Sequence, residues 1–347
     1  MKPSSFLLAC ALACTISAHA QEPIIIKFSH VVAPDTPKGK AAERFKQLAE
    51  RATEGRVRVL IYPNSELYQD REELEALQLG AVQMLAPSLA KFSPLGVHEF
   101  EVFDLPFIFP DKAALHRITE GPIGRSLLRR LESKGIIGLA FWDNGFKSMS
   151  ANRPLRVPAD FRGLRMRIQP SRVLDIQMRA LGAIPMIMRF GEVYQALQTG
   201  VVDGTENPPS NFYTQDMQNA QSHLTVSRHG YLGYAVVVNK KFWEGLPPGI
   251  RSALEDAMHE ATRYANAIAQ EENDQALEAV RRSGKTEIHV LSDEERRQWQ
   301  DALAAANPEM EARIGAKLVD AIKREIASRP GRRYFSRISE FLGLEWQ

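Results

Sequence analysis

From Ile24 onward the chain switches between short apolar runs and longer amphipathic ones. Residues 24–29 read as a buried strand, and 37–53 repeat their apolar positions at helical spacing. Residues 56–62 alternate as a strand does, and 70–80 return to the helical period. Such alternation predicts an α/β architecture, in which parallel strands gather ligands at their carboxyl ends. An apolar strand opens the segment 136–150, and Trp142-Asp143-Asn144-Gly145 reads as a turn-rich break before a second strand. The pattern then begins again, with a turn at 158–163, a strand at 164–168, helices at 171–182 and 191–199, and a turn at Val202-Asp203-Gly204. A lobe crossover is expected at the break. A second is expected near 231–239, where Tyr234-Ala-Val-Val-Val238 leads through Lys240-Lys-Phe-Trp243 to a helix start at Pro247-Pro248.

From Pro248 to Ser283 the helical pattern is almost uninterrupted, which makes a rod of roughly 50 Å at 1.5 Å per residue. A helix of that length can brace two lobes; the alternative is two helices broken near Asn266 or Asn273. A chain of 347 residues exceeds what one hydrophobic core organises, and its 44% apolar content supplies two. The expected division is 21–144 with about 235–272 as one lobe, and 145–234 with about 273–327 as the other. Residues 328–347 follow as a C-terminal tail, whose Arg-rich stretch 329–337 reads as solvated.

Composition changes the picture at the amino terminus. Lys2 precedes an apolar run from Phe6 to Ile16, and Ala18-His19-Ala20 presents small residues where a signal peptidase reads, so residues 1–20 are expected to be a signal peptide cleaved before Gln21. Leu7-Leu8-Ala9-Cys10 resembles a lipid-attachment box, but the apolar segment before Cys10 is short for one. Cleavage removes both cysteines, Cys10 and Cys14, and with them disulfides, thiol catalysis and cysteine metal sites. No later stretch reaches the roughly 18 apolar residues of a membrane helix, so a soluble mature chain is expected. The 44 Lys plus Arg, one of them Lys2, balance 42 Asp plus Glu, which is not the charge of a nucleic-acid binder.

Nothing in the sequence recommends catalysis. His30, His98, His116, His223, His229, His259 and His289 remain after cleavage, and none has the His-x-x-x-His spacing of a metal helix. Nucleophile elbow, Walker loop and dinucleotide fingerprint are absent, and Glu72-Glu73 and Glu294-Glu295 read as solvated helix faces. No enzyme activity, cofactor or metal is expected.

Four stretches together resemble the solute receptors of TRAP (tripartite ATP-independent periplasmic) transporters, the DctP family. They are Phe28-Ser-His-Val-Val-Ala-Pro-Asp-Thr-Pro-Lys-Gly39, Tyr62-Pro-Asn-Ser-Glu-Leu-Tyr68, Gly163-Leu-Arg-Met-Arg-Ile168 and the block from Phe190 to Pro208 that contains Glu206-Asn207-Pro208. The likeness runs from about Ile24 to about Ala327, and its opening motif is similar to the C4-dicarboxylate branch. It implies a two-lobed periplasmic-binding-protein fold with hinge strands and a long connecting helix. Its implied role is to capture succinate, fumarate or malate for membrane permease subunits. A monocarboxylate or a hydroxy or keto acid is the alternative ligand, and reporting to a membrane sensor kinase the alternative role.

The resemblance also implies a site. Arg167 matches the arginine that fixes the substrate carboxylate, a task suited to a planar fork of donors that stays charged when desolvated. Asn207 matches a cleft asparagine, which as a plain residue reads equally as a helix cap before Pro208. Phe190 matches the aromatic that lines the ligand's carbon chain, and otherwise reads as core. Lys147 stands where sialic-acid-binding relatives carry a second arginine. Lys38, in the turn after the first strand, is a candidate for the distal carboxylate or a surface lysine at a helix start. Ser88 is expected to offer a hydroxyl from the first lobe.

Overall fold

The computed structural model describes residues 22–70 and 72–328. The expected signal peptide and the Arg-rich stretch 329–337 lie outside the described residues. The first sheet holds β1 (Ile24–Ser29), β2 (Val57–Tyr62), β3 (Met84–Leu85), β4 (Ile136–Phe146) and β10 (Tyr231–Asn239), in the order β2-β1-β3-β10-β4. β1 is parallel to β2 and β3, and β10 is antiparallel to β3 and β4. The second sheet holds β5 (Ser148–Ala151), β6 (Arg165–Ile168), β7 (Ile184–Ile187), β8 (Gly204–Asn207), β9 (His223–Val226) and β11 (Glu287–Val290), in the order β11-β9-β5-β8-β6-β7. β6 lies parallel between β7 and β8, whereas β5 is antiparallel to β8 and β9.

The chain changes sheets twice. Lys147 alone separates β4 from β5, and residues 227–230 separate β9 from β10. Residues 145–146 and 231–234, expected in the second lobe, therefore belong to strands of the first sheet. The break expected at Trp142 to Gly145 is not one, because β4 runs through it. Its polar backbone is satisfied from outside the sheet: the Asp143 N–H donates to Asn266 Oδ1 at 2.9 Å and the Asn144 carbonyl accepts from Asn273 Nδ2 at 2.7 Å.

The same two asparagines decide the connecting helix. It runs unbroken from Pro248 to Ser283, 36 residues or about 54 Å, and stops at Gly284, which takes the left-handed conformation at φ +65°. Asn266 and Asn273, the two positions where the sequence allows a break, are buried and both reach β4 with their side chains, although the Asn273 amide also donates back to the Ala269 carbonyl of its own helix at 2.7 Å. The helix packs on the helix Pro37–Ala52, on β4 and on the helix Pro209–Thr214, and so touches elements of both lobes. Its face toward the first sheet is lined with Ala257, Ala261 and Ala265, small enough to lie close against Phe28, Phe45 and Trp142.

The opposite face of the first sheet carries Phe92, Phe100, Phe103, Phe141 and Tyr231. Met310 and Ile314 of the helix Asn307–Ile314, and Val319 and Ile322 of the helix Ala316–Ser328, complete this core. These residues were expected in the second lobe; their apolar stripes are instead buried against the first. Trp299 and Leu303 do pack with Met149, Met166 and Ile168 of the second sheet. Among the described residues no helix is long and apolar enough to cross a membrane.

Candidate functional site

A small cavity lies between the lobes at the carboxyl ends of β1, β3, β6 and β8. Val32 follows β1, Ser88 follows β3, Gln169 follows β6, and Asn207 closes β8. Both lobes contribute, and three contacts close the gap around it. Gln169 Nε2 donates to Ser88 Oγ at 2.7 Å, the Phe190 N–H donates to the Asp70 carboxylate, and Arg189 Nη2 meets Glu72 Oε1 at 2.5 Å.

Of the six residues named from the sequence, Lys38, Ser88, Phe190 and Asn207 line this cavity. Lys38 is no surface lysine. It is 1% exposed, donates from Nζ to the Ala86 carbonyl at 3.0 Å, and stands 3.9 Å above the centre of the Tyr234 ring. Burial, followed by repulsion from Lys91, lowers its ammonium to about 7, although Glu73 and Asp70 act against the shift. Asn207 does not cap the following helix, whose N-cap is Pro208; its amide reaches only Thr205 Oγ1 at 3.3 Å and Met217 Sδ at 3.7 Å.

Arg167 sits just behind the cavity wall, buried, with its guanidinium 5.7 Å from the Phe190 ring centre. Nε and Nη2 grip the Met188 carbonyl at 3.0 and 2.9 Å, which fixes the plane of the fork. Its neighbour Arg165 behaves differently, for it is half-exposed and forms a bidentate pair with Asp203 at 2.7 and 3.0 Å. Among the described residues, neither Arg167 nor Lys38 forms an ion pair.

Lys147 does not join the site. It is buried at the first crossover, with Nζ 2.6 Å from Glu206 Oε1 and 3.5 Å from Asp104 Oδ1. Burial alone would lower its ammonium, but Glu206 and Asp104 outweigh that and raise it, so the charge is already answered within the protein. Burial alone would likewise raise the Glu206 carboxyl, yet Lys147 and the His229 ring 2.9 Å from Oε2 bring it down to about 2. Lys147 therefore ties the crossover to both lobes, and its position was no guide to its contacts.

The sequence reading missed five polar residues of the lining: Asp70, Lys91, Gln169, Asn211 and Tyr234. Lys91 is ion-paired to Asp70 and to Glu73, the latter at 2.5 Å; burial alone would raise the Asp70 carboxyl, but Lys91, then Arg167 and the Phe190 N–H, bring it down to about 2. Tyr234 accepts from Asn144 Nδ2 at 2.7 Å, and the same amide donates to Asn211 Oδ1 at 2.8 Å. A lysine inside the apolar run Leu89-Ala90-Lys91-Phe92 and a tyrosine inside an all-apolar strand were the signals available.

Known proteins place this geometry. The profile of DctP, described as bacterial extracellular solute-binding protein, family 7, matches residues 28–313. A C4-dicarboxylate-binding periplasmic protein DctP from Rhodobacter capsulatus is 64% identical over 319 residues, 92% of this chain and 96% of that one. The crystal structure of a TRAP periplasmic solute-binding protein from Shewanella oneidensis with bound succinate superposes with a TM-score of 0.85 at 41% identity, covering 87% of this chain and 99% of that chain. Another, from Pseudomonas aeruginosa with bound L-malate, gives 0.80 at 43% identity, covering 83% and 100%. With two sheets bridged by one long helix, a polar cavity at their carboxyl ends and a profile match over most of its length, the chain belongs to the DctP family of bacterial extracellular solute-binding proteins.

Proposed function

We propose that this chain is a periplasmic receptor that captures a C4-dicarboxylate, of the class of succinate, fumarate and malate, and delivers it to the membrane permease subunits of a TRAP transporter. One observation carries the reading: two buried basic side chains, Lys38 from the first lobe and Arg167 from the second, stand at the cleft with no ion pair among the described residues. A buried charge left unpaired is costly, and a short dianion with carboxylates at both ends supplies both partners at once. Arg167 takes one carboxylate, with its fork already oriented by Met188. Lys38 takes the other, and Ser88, Asn207, Asn211 and Tyr234 offer hydroxyl and amide groups between them. Phe190 packs on the carbon chain. Because these groups come from both lobes, the ligand favours closure through contacts that only the closed form completes. The relatives' ligands, succinate and L-malate, agree with this chemistry.

Calorimetric titration of the purified protein, freed of carried-over ligand, tests the reading. Succinate, fumarate and malate are expected to bind far more tightly than lactate and pyruvate. Equal or tighter binding of the monoacids would overturn the pairing of Lys38 with a second carboxylate.

A further inference from the structure

The surroundings of Lys38 are unusual for a lysine, because neither of its direct contacts is a counter-charge. The segment after β3 presents only the Ala86 carbonyl at 3.0 Å, and β10 presents the Tyr234 ring face at 3.9 Å. The 3-10 helix Leu89–Leu95 presents Lys91, a second cation. Asp70 and Glu73 are near, but both are ion-paired to Lys91. At the end of β1 the His30 ring is buried, and among the described residues its nitrogens have no hydrogen-bond partner of ordinary geometry, the Val32 backbone being the polar group beside it. Burial, and then Lys38 itself, depress that imidazole to about 3 against the opposing Val32 backbone, so His30 stays neutral at ordinary pH. An amine so placed is held near the balance point between its charged and neutral forms.

We propose that Lys38 receives the distal carboxylate of the ligand together with a proton, so that capture of the dianion is coupled to proton uptake from solvent. This rests on the dicarboxylate reading of the cleft. The proton passes from solvent to Nζ and no other bond changes. A carboxylate brought against Nζ restores the ordinary preference of a lysine for its charged form. At pH 6 the amine is already protonated in the empty receptor and no proton is taken up. At pH 8 it is mostly neutral there, and uptake approaches one proton per ligand. Affinity then falls by up to about tenfold per pH unit above pH 8, by linkage. Ligand carboxylates are ionised at pH 8 and contribute no proton of their own.

The test is calorimetry of succinate binding at pH 6 and pH 8, each in two buffers of different ionisation enthalpy, which yields the number of protons exchanged. The expected result is a number near one at pH 8 and near zero at pH 6. Lys38→Arg, permanently charged, should bind without uptake at pH 8. Asp104→Asn, which removes, away from Lys38, a buried carboxyl held up at about 6, should retain the uptake. Succinate binding at pH 8 with no buffer dependence overturns this inference alone, as does uptake that persists in Lys38→Arg or disappears in Asp104→Asn. Failure of succinate, fumarate and malate to bind at either pH overturns the dicarboxylate reading itself.

Discussion

The Asn273 side chain donates to the Asn144 carbonyl at 2.7 Å while its oxygen accepts from the Ser210 N–H at 3.0 Å. One residue of the connecting helix thus satisfies β4 of the first sheet and the helix Pro209–Thr214 that follows β8 of the second. Asn144 continues the chain to the cavity, since its Oδ1 accepts from Ser210 Oγ and its Nδ2 donates to Tyr234 and Asn211. Gly145 is required beside it: a Cβ there would lie 2.8 Å from Asn273 Nδ2, and that amide is pinned by two carbonyls, those of Asn144 and Ala269.

Asn273→Ala leaves a buried N–H and a buried carbonyl without their partner and should destabilise the fold by about 2 to 6 kcal/mol, at about 1 to 3 for each orphaned group. Urea unfolding reads this directly. A loss under about 0.5 kcal/mol, the range of an ordinary surface change, would show that the bridge contributes nothing.

Arg167→Ala should weaken succinate binding by about 2 to 5 kcal/mol, roughly thirtyfold or more in Kd, because a desolvated carboxylate loses its main partner. Arg167→Lys should recover little of this, for a lysine cannot hold the Met188 carbonyl with two nitrogens while facing the ligand with a third. Calorimetry distinguishes the cases, and unchanged affinity in Arg167→Ala would remove the residue from the site.

These residues also mark how far the sequence reaches. Strand and helix order was legible from periodicity, because Ile26, Phe28 and Phe45 must all face one core. Arg167 was named by likeness of a motif, not by any pattern of its own, and Lys38 reads two ways in the sequence until its burial is known. Lys91 and Asp70 are far apart in the chain and meet only through the fold, so no local pattern announced the pair that isolates Lys38. Misreading Trp142 to Gly145 as a break has the same cause: the groups that let Asp143 and Asn144 lie in a strand are on a helix more than a hundred residues later.

Lys147→Met should cost stability and spare the ligand. Removing the cation leaves Glu206 buried with the His229 ring and Asp104 buried beside the Ser171 side chain, a loss of about 3 to 5 kcal/mol for a broken buried pair. Adding Glu206→Gln should restore part of it. Succinate affinity of the folded protein should change by less than about threefold, within the scatter of a residue that does not touch ligand. A tenfold loss of affinity in Lys147→Met at full folding would return Lys147 to the site.

Asp104 gives the fold an acid-side signature. Burial raises its carboxyl to about 6, and Lys147 at 3.5 Å only partly offsets this. The native value lies above the ordinary 3.8, so the native state holds a proton that the unfolded chain releases between those two values. Its contribution to stability therefore falls as pH rises from about 4 to about 6, and the cost persists above 6, by about 2 to 3 kcal/mol. Asp104→Asn cannot titrate. Urea unfolding of both proteins at pH 4 and pH 7 should show the stability difference moving in favour of the variant by about 2 kcal/mol at the higher pH. Asp70 and Glu206, held near 2, are common to both proteins and cancel in the comparison. A difference that does not change with pH would mean that Asp104 is charged in the native protein at pH 4, with Lys147 as a full ion-pair partner.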